Sequence, residues 1–190
     1  MAKTLITKPF RCAFPSLTEP KNFQGQGALK YSIIGLIPKS DKGFKKQIED
    51  FIVEAVEKTN WTAAQKKAVI ATATKNDGDF LIIKNGELKD LDKYPFFNGH
   101  FFINLKRGEK GGPVPCYYPD KTPIPASLIN SEIYSGCWVR TNISAWCYEK
   151  PKMGVTLQLI EIQKVKDDES FRQTSFDAIE AEETESDDEV

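Results

Sequence analysis

The sequence predicts a mainly β fold with an α insertion, a small barrel of mostly antiparallel strands interrupted by one helical unit. Three observations carry that reading. Segments rich in Thr, Ile, Val and aromatic residues alternate with turn-forming stretches in both halves of the chain. One stretch, about 41–75, changes to helical spacing. Prolines, a glycine and one reversal of apolar parity mark the strands as bent, which suits a coiled barrel better than a parallel α/β sheet.

Residues 3–17 are rich in Thr, Ile and Phe but are broken by Pro9 and Pro15, which remove ladder donors, so they read as a bent or edge strand. A polar turn region at 19–27 leads into 29–37 (LKYSIIGLI), apolar on both faces, with Gly35 marking a bulge or bend and Pro38 ending the strand. Phe44, Ile48, Phe51, Ile52, Ala55 and Val56 then recur at spacings of three and four, which places one apolar stripe on a helix over about 41–58. Thr62 and Gln65 form a capping-box pattern opening a second helix to about Lys75, and Asn76-Asp77-Gly78-Asp79 reads as a turn. A short strand at 80–83 and a turn at Asn85-Gly86 follow.

Residues 100–106 (HFFINLK) place Phe101, Ile103 and Leu105 on one face and His100, Phe102, Asn104 and Lys106 on the other. A mobile basic loop is expected at 106–112. The next stretch is spaced by Pro113, Pro115, Pro119, Pro123 and Pro125, which disfavours a central strand and reads as an extended loop or irregular edge over the barrel, carrying Tyr117 and Tyr118. In the last strand, 154–165, Val155, Leu157 and Leu159 face one way before Ile160 and Ile162 change parity, which implies a bulge at Leu159-Ile160. Short, bent, antiparallel strands with one helical insertion match an OB-type barrel, closed or partly open. The two-helix unit precedes the place of the usual OB helix, so the strand order stays open.

At 190 residues and 40 % hydrophobic content, the chain suits one compact domain, expected over 1–172, with a flexible acidic tail over 173–190. No apolar run approaches the roughly 20 residues of a membrane span, and the first four residues lack a signal-peptide hydrophobic stretch. A soluble, cytosolic protein is expected. Cys12, Cys116, Cys137 and Cys147 show no C-x-x-C spacing and His100 is the only histidine, so reduced thiols are expected, with no metal and no cofactor. The absence of a phosphate-binding loop, a nucleophile motif or a metal-ligand cluster leaves no catalytic constellation, and the protein is not expected to be an enzyme.

Charge is divided along the chain. Of 27 Asp+Glu, eight fall in 177–190, which holds no basic side chain, leaving the first 176 residues with 26 Lys+Arg against 19 acids and a net of +7. A basic body with an acidic tail points to a polyanionic partner, plus a built-in competitor for that surface or a handle for a basic protein. The plainer alternative is a solubilising terminus.

Residues 137–148 (CWVRTNISAWCY) indicate which polyanion. Odd positions give Cys137, Val139, Thr141, Ile143, Ala145 and Cys147, small side chains suited to a crowded barrel interior. Even positions give Trp138, Arg140, Asn142, Ser144, Trp146 and Tyr148. A polar exterior explains Arg140, Asn142 and Ser144 but not the aromatic residues among them. Aromatic faces interleaved with cationic groups suit stacking on unpaired bases. The candidate stackers are Trp138, Trp146, Tyr148 and Phe102, and the candidate phosphate contacts are Arg140, Lys106, Arg107 and Lys110. The alternative is that the tryptophans pack beneath the helical unit or a loop.

The run Glu132-Ile133-Tyr134-Ser135-Gly136-Cys137-Trp138-Val139-Arg140, then Tyr148, Gly154-Val155-Thr156-Leu157-Gln158-Leu159 and Ile162-Gln163-Lys164-Val165-Lys166-Asp167-Asp168, resembles a family of tailed-bacteriophage single-stranded-DNA-binding proteins, long catalogued as a domain of unknown function. Weaker likeness extends to Asn76-Asp77-Gly78-Asp79 and to 94–100. The resemblance implies an OB fold, coating of DNA single strands without sequence readout, and an acidic tail. Here the tail acids would be Glu182, Glu183, Glu185, Asp187, Asp188 and Glu189, regulating DNA access or recruiting phage or host replication proteins in the infected bacterial cytoplasm. The sequence given ends Glu189-Val190 with Phe176 upstream of the acids, so recruitment through a terminal aromatic that enters a partner's pocket is not expected. Two alternatives remain: a protein-interaction accessory factor of replication or recombination, and an RNA-binding OB module.

Overall fold

In chain order the elements are β1 (Thr4–Ile6), β2 (Phe10–Phe23), β3 (Gln26–Pro38), α1 (Lys42–Glu57), α2 (Ala63–Thr74), β4 (Ile83–Asn85), β5 (His100–Gly108), β6 (Cys116–Tyr117), α3 (Ile129–Glu132), β7 (Trp138–Tyr148) and β8 (Gly154–Lys166). They come from a computed structural model that describes residues 3–23, 26–75 and 81–171. The predicted turn at 76–79, the tail acids at 182–189 and Phe176 lie outside the described residues.

Five strands close a ring. Antiparallel pairing joins β2 to β3, β3 to β5, β8 to β7 and β7 to β2, and a parallel contact between Lys106 and Gln158 joins β5 to β8. The circuit β2-β3-β5-β8-β7 is a closed, OB-like barrel, as the fold class anticipates. The two-helix unit enters between the second and third barrel strands, and β6 and the single-turn α3 lie between the third and fourth. Strands β1, β4 and β6 extend the sheet beside β7, β5 and β8.

Alternation decides what fills the barrel. Ile33, Ile37, Ile103, Leu105, Val139, Ile143, Leu157 and Ile162 are fully or almost fully buried, and α1 adds Phe44, Ile48, Phe51, Ile52 and Val56 to the same core. Burying one such side chain contributes about 1.5–3 kcal/mol, which is why the apolar stripe rather than helix propensity holds α1 in place. Asp41 caps α1 by accepting from the Phe44 N–H at 2.8 Å. Thr62 and Gln65 form the predicted capping box of α2. The bulge in β8 also appears: Ile143 faces Leu159 and Asn142 faces Glu161, so Ile160 is the extra residue.

Four expectations need correction. The first strand is two, β1 and β2, and β2 runs through Pro15 and Pro20 to Phe23 because register shifts after Ala13 and Ser16 absorb the missing donors; most of the expected turn at 19–27 is therefore strand. Gly35 is no bulge: it pairs in register with Cys12 and Ile103, and a Cβ there would stand 2.9 Å from Phe10 Cε2, so its role is clearance. The short strand is Ile83–Asn85, shifted toward the C-terminus, with Phe80 outside the described residues. The loop at 106–112 is pinned, because the Arg107 guanidinium donates to the carbonyls of Gly111 and Gly112 at 3.0 Å and of Ile160 at 3.1 Å. All four cysteines are thiols, with Cys12 Sγ and Cys137 Sγ 3.7 Å apart.

One bulge is unusual. At the first register shift of β2, Phe14 adopts φ +49°, a left-handed conformation costing a non-glycine residue about 1–2 kcal/mol, and its side chain stays 46 % exposed.

Candidate nucleic-acid interface

The outer barrel face is built by the residues opposite in parity to the core. On β3 these are Lys30, Ser32 and Ile34; on β5, Asn104 and Lys106; on β8, Thr156 and Gln158; on β7, Ser144, Trp146 and Tyr148. Pairing sets them in rows: Ser32 faces Lys106, Lys106 meets Gln158, Gln158 faces Ser144, and Thr156 faces Trp146. Lys84 enters the same face from β4, opposite Phe102. Lys84, Asn104, Lys106, Tyr148 and Thr156 line one cleft.

This cleft is cationic and edged by aromatic rings. Trp146 is 54 % exposed, and its ring lies 5.5 Å from that of Tyr148 at an interplanar angle of 38°. Partial burial, followed by the neighbouring charges of Lys30 and Lys84, holds the Lys106 pKa below the usual lysine value. Among the described residues, none of these three lysines forms an ion pair. Like charges held together without counter-charges favour a polyanion, since an arriving phosphate relieves the repulsion among them.

The remaining predicted residues fall elsewhere. Trp138 is partly buried; its indole N–H donates to Asp168 Oδ2 at 2.7 Å, and Lys166 Nζ lies 5.1 Å from its ring. Asp168 is held below the usual carboxylate range by that bond first, then by the Glu169 N–H, Arg11 and Lys166. Arg140 Nε donates to Gln163 Oε1 at 2.7 Å and lines a different hollow with Ile6, Tyr117 and Lys121. Phe102 is not available for stacking: it is 3 % exposed, edge-on to Phe97 at 5.2 Å and packed with Leu36, because the turn at Pro95–Phe97 folds over this part of the face. Arg107 is spent on the carbonyls that pin its own loop. Lys110 is exposed on the turn Glu109–Gly111. The structure thus brings together Trp146, Tyr148 and Lys106 from the predicted set and adds Lys30, Lys84 and Asn104. The signal for Lys30 was its parity in LKYSIIGLI; Lys84 had none, since β4 is three residues long.

Residues 3–190 match the protein family described as Enterobacter phage Enc34, ssDNA-binding protein. This chain belongs to that family. A relative from Acyrthosiphon pisum secondary endosymbiont phage 1, described as putative protein p50, is 27 % identical over 161 residues, 85 % of this chain and 82 % of that one. The solved structure of the bacteriophage Enc34 single-stranded-DNA-binding protein in complex with ssDNA matches with a TM-score of 0.67 and 29 % identity over 89 % of each chain. The single-stranded-DNA-binding protein gp2.5 of bacteriophage T7 shares the fold, with a TM-score of 0.62 at 17 % identity over 100 % of this chain and 99 % of the other. Among the described residues no helix is long and apolar enough to cross a membrane, and no group of three or more metal-ligating side chains occurs.

Proposed function

We propose that this chain binds single-stranded DNA without reading its sequence, through the face bearing Trp146, Tyr148, Lys30, Lys84 and Lys106. One observation carries the reading: a half-exposed indole beside a tyrosine, next to a cluster of three lysines that form no ion pair among the described residues. Stacking on such rings contributes about 1–3 kcal/mol per base and tolerates any base, while the lysines meet phosphates and make affinity salt-dependent. Family membership and the likeness to a protein solved with ssDNA support the same reading. The activity serves phage DNA replication or recombination in the infected bacterial cytoplasm. The acids of 177–190 compete for the lysine cluster when DNA is absent; tethering gives them a high effective concentration without strong affinity. They also offer a handle for replication proteins.

The test is a salt titration of binding to oligothymidine, duplex DNA and oligouridine, followed by tryptophan fluorescence. Quenching by oligothymidine that disappears in Trp146→Ala supports the assignment. Quenching that persists in that variant removes Trp146 from the interface, and equal affinity for duplex and single strand removes strand selectivity. Deleting 177–190 is expected to tighten binding and soften its salt dependence; unchanged affinity at low and high salt discards the competing tail.

A further inference from the structure

Phe14 is the residue that β2 inserts where Ala13 faces Ile34 and Ser16 faces Ser32, three residue steps against two. A left-handed bulge position is filled most cheaply by glycine, and bulges re-aim side chains beside functional sites. Here it carries a phenylalanine whose side chain remains 46 % exposed at φ +49°. Half-burial of one ring returns no more than the backbone strain costs, so packing alone does not select this residue. The ring is nevertheless held in place. Ser135 Oγ accepts the Phe14 N–H at 2.9 Å, Tyr94 meets the ring edge-on at 5.3 Å and 84°, and Phe96 lies 5.8 Å away. Lys93 Nζ sits 5.5 Å from the Tyr94 ring, which adds a cation beside the aromatic pair.

Its place on the barrel connects it to the lysine cleft. Tyr94 and Phe96 pack against Leu36 of β3, Phe102 of β5 and Phe97 of the turn over them. Ala13, Ile34 and Asn104 form one row across β2, β3 and β5, so Ala13, the residue before Phe14, stands about two strand widths, roughly 10 Å, from Asn104 in the cleft of Lys106 and Tyr148.

We propose that Phe14, buttressed by Tyr94, is a second base-stacking platform on this face, taking an unpaired nucleobase of a strand that also crosses Lys106, Tyr148 and Trp146. The inference rests on the single-strand-binding reading above and extends its site across β3 to β2. Lys93 supplies the cation for the neighbouring phosphate.

Phe14→Asn removes the ring and keeps a residue that tolerates the left-handed backbone; Phe14→Trp keeps an aromatic face. Binding of long and short oligothymidines is measured by anisotropy, alongside melting temperature and sedimentation. Phe14→Asn is expected to melt at or above the wild-type temperature, to bind the long oligothymidine about tenfold more weakly, and to bind one too short to reach from Trp146 to Phe14 as the wild type does. Phe14→Trp is expected to retain affinity and to show added quenching on binding. A lowered melting temperature with unchanged affinity overturns the proposal in favour of a packing role, and loss of self-association with unchanged affinity overturns it in favour of a contact between copies. Wild-type protein that binds no oligothymidine overturns the functional reading together with this inference; a binding wild type with an equally tight Phe14→Asn variant overturns this inference alone.

Discussion

At one end of β7 the Trp138 indole is tied to Asp168 and covered by Lys166, whereas at the other end Trp146 lies half in solvent beside Tyr148. Both side chains leave the same face of the same strand. What differs is the chain laid across them. After β8, the segment 167–171 returns over the first end: Tyr134 Oη donates to Asp167 Oδ1 at 3.0 Å, the Arg11 guanidinium donates to the Glu169 carbonyl at 2.6 Å, and the Phe171 N–H donates to the Ser135 carbonyl at 3.0 Å. The Phe171 ring stacks on Phe96 at 4.3 Å, with Arg11 on it at the same distance. Strand parity assigns a side chain to a face; only the path of the rest of the chain says whether that face meets solvent. At the covered end of β7 the indole is tied into the fold, and at the open end Trp146 keeps its ring in solvent.

The strongest way to break this contrast acts on Gly136, just before β7. Its φ of +112° belongs to glycine, and a Cβ there would stand 2.2 Å from the Glu169 carbonyl oxygen and 3.1 Å from the Phe171 nitrogen. Gly136→Ala therefore meets both backbone strain and a backbone clash, and a loss of about 2–4 kcal/mol in urea unfolding is expected. The expelled segment should show faster amide exchange at 167–171, with affinity at the Trp146 end little changed. An unaltered unfolding midpoint would refute the tight seat assigned to this segment.

A paired substitution sharpens the contrast. Trp146→Ala is expected to shift stability by no more than about 0.5 kcal/mol, as an exposed position should, while weakening oligothymidine binding by about 1–3 kcal/mol. Trp138→Ala is expected to do the reverse, lowering Tm by a few degrees while leaving affinity near wild type. If Trp138→Ala weakens binding as much as Trp146→Ala, the division of β7 into a covered and an open end is wrong.

The parts of this molecule legible in the sequence are those decided locally. The α1 stripe, the Thr62–Gln65 box, the inward row Val139, Thr141 and Ile143 and the Ile160 bulge all follow from spacing within one element. Residues whose setting depends on distant partners are not legible in the same way. Phe102 has the parity of an outer residue, yet Phe97 covers it; Arg107 resembles a phosphate ligand, yet it donates to Ile160, 53 positions away. Trp138 meets Asp168 from 30 positions away. The lysine cluster draws on three strands, β3, β4 and β5, so no single segment displays it. Nothing in a phenylalanine announces the left-handed backbone of Phe14, because the bulge arises from pairing with β3.

The smallest expected effect is a dependence on acid. Asp167 is held below the ordinary carboxylate range chiefly by Lys164, 2.8 Å away, with the Tyr134 hydroxyl contributing; Asp168 is lowered first by Trp138. A carboxylate whose folded pKa is depressed adds stability that is fully present above its ordinary value, about 3.9, and is lost as pH falls through the lower folded value. The grip on 167–171 should therefore be constant from neutral pH down to about 4 and weaken only below it. In Trp61→Phe/Trp146→Phe protein, where Trp138 is the remaining indole, its emission is expected to shift toward that of an exposed tryptophan below about pH 4, before the barrel unfolds. Asp168→Asn should flatten that transition, because the amide keeps an acceptor for the indole N–H but no longer titrates. A transition unchanged in Asp168→Asn would mean that the emission follows another group, and the tie between the tail's root and β7 would have to rest on Asp167 and Lys164 instead.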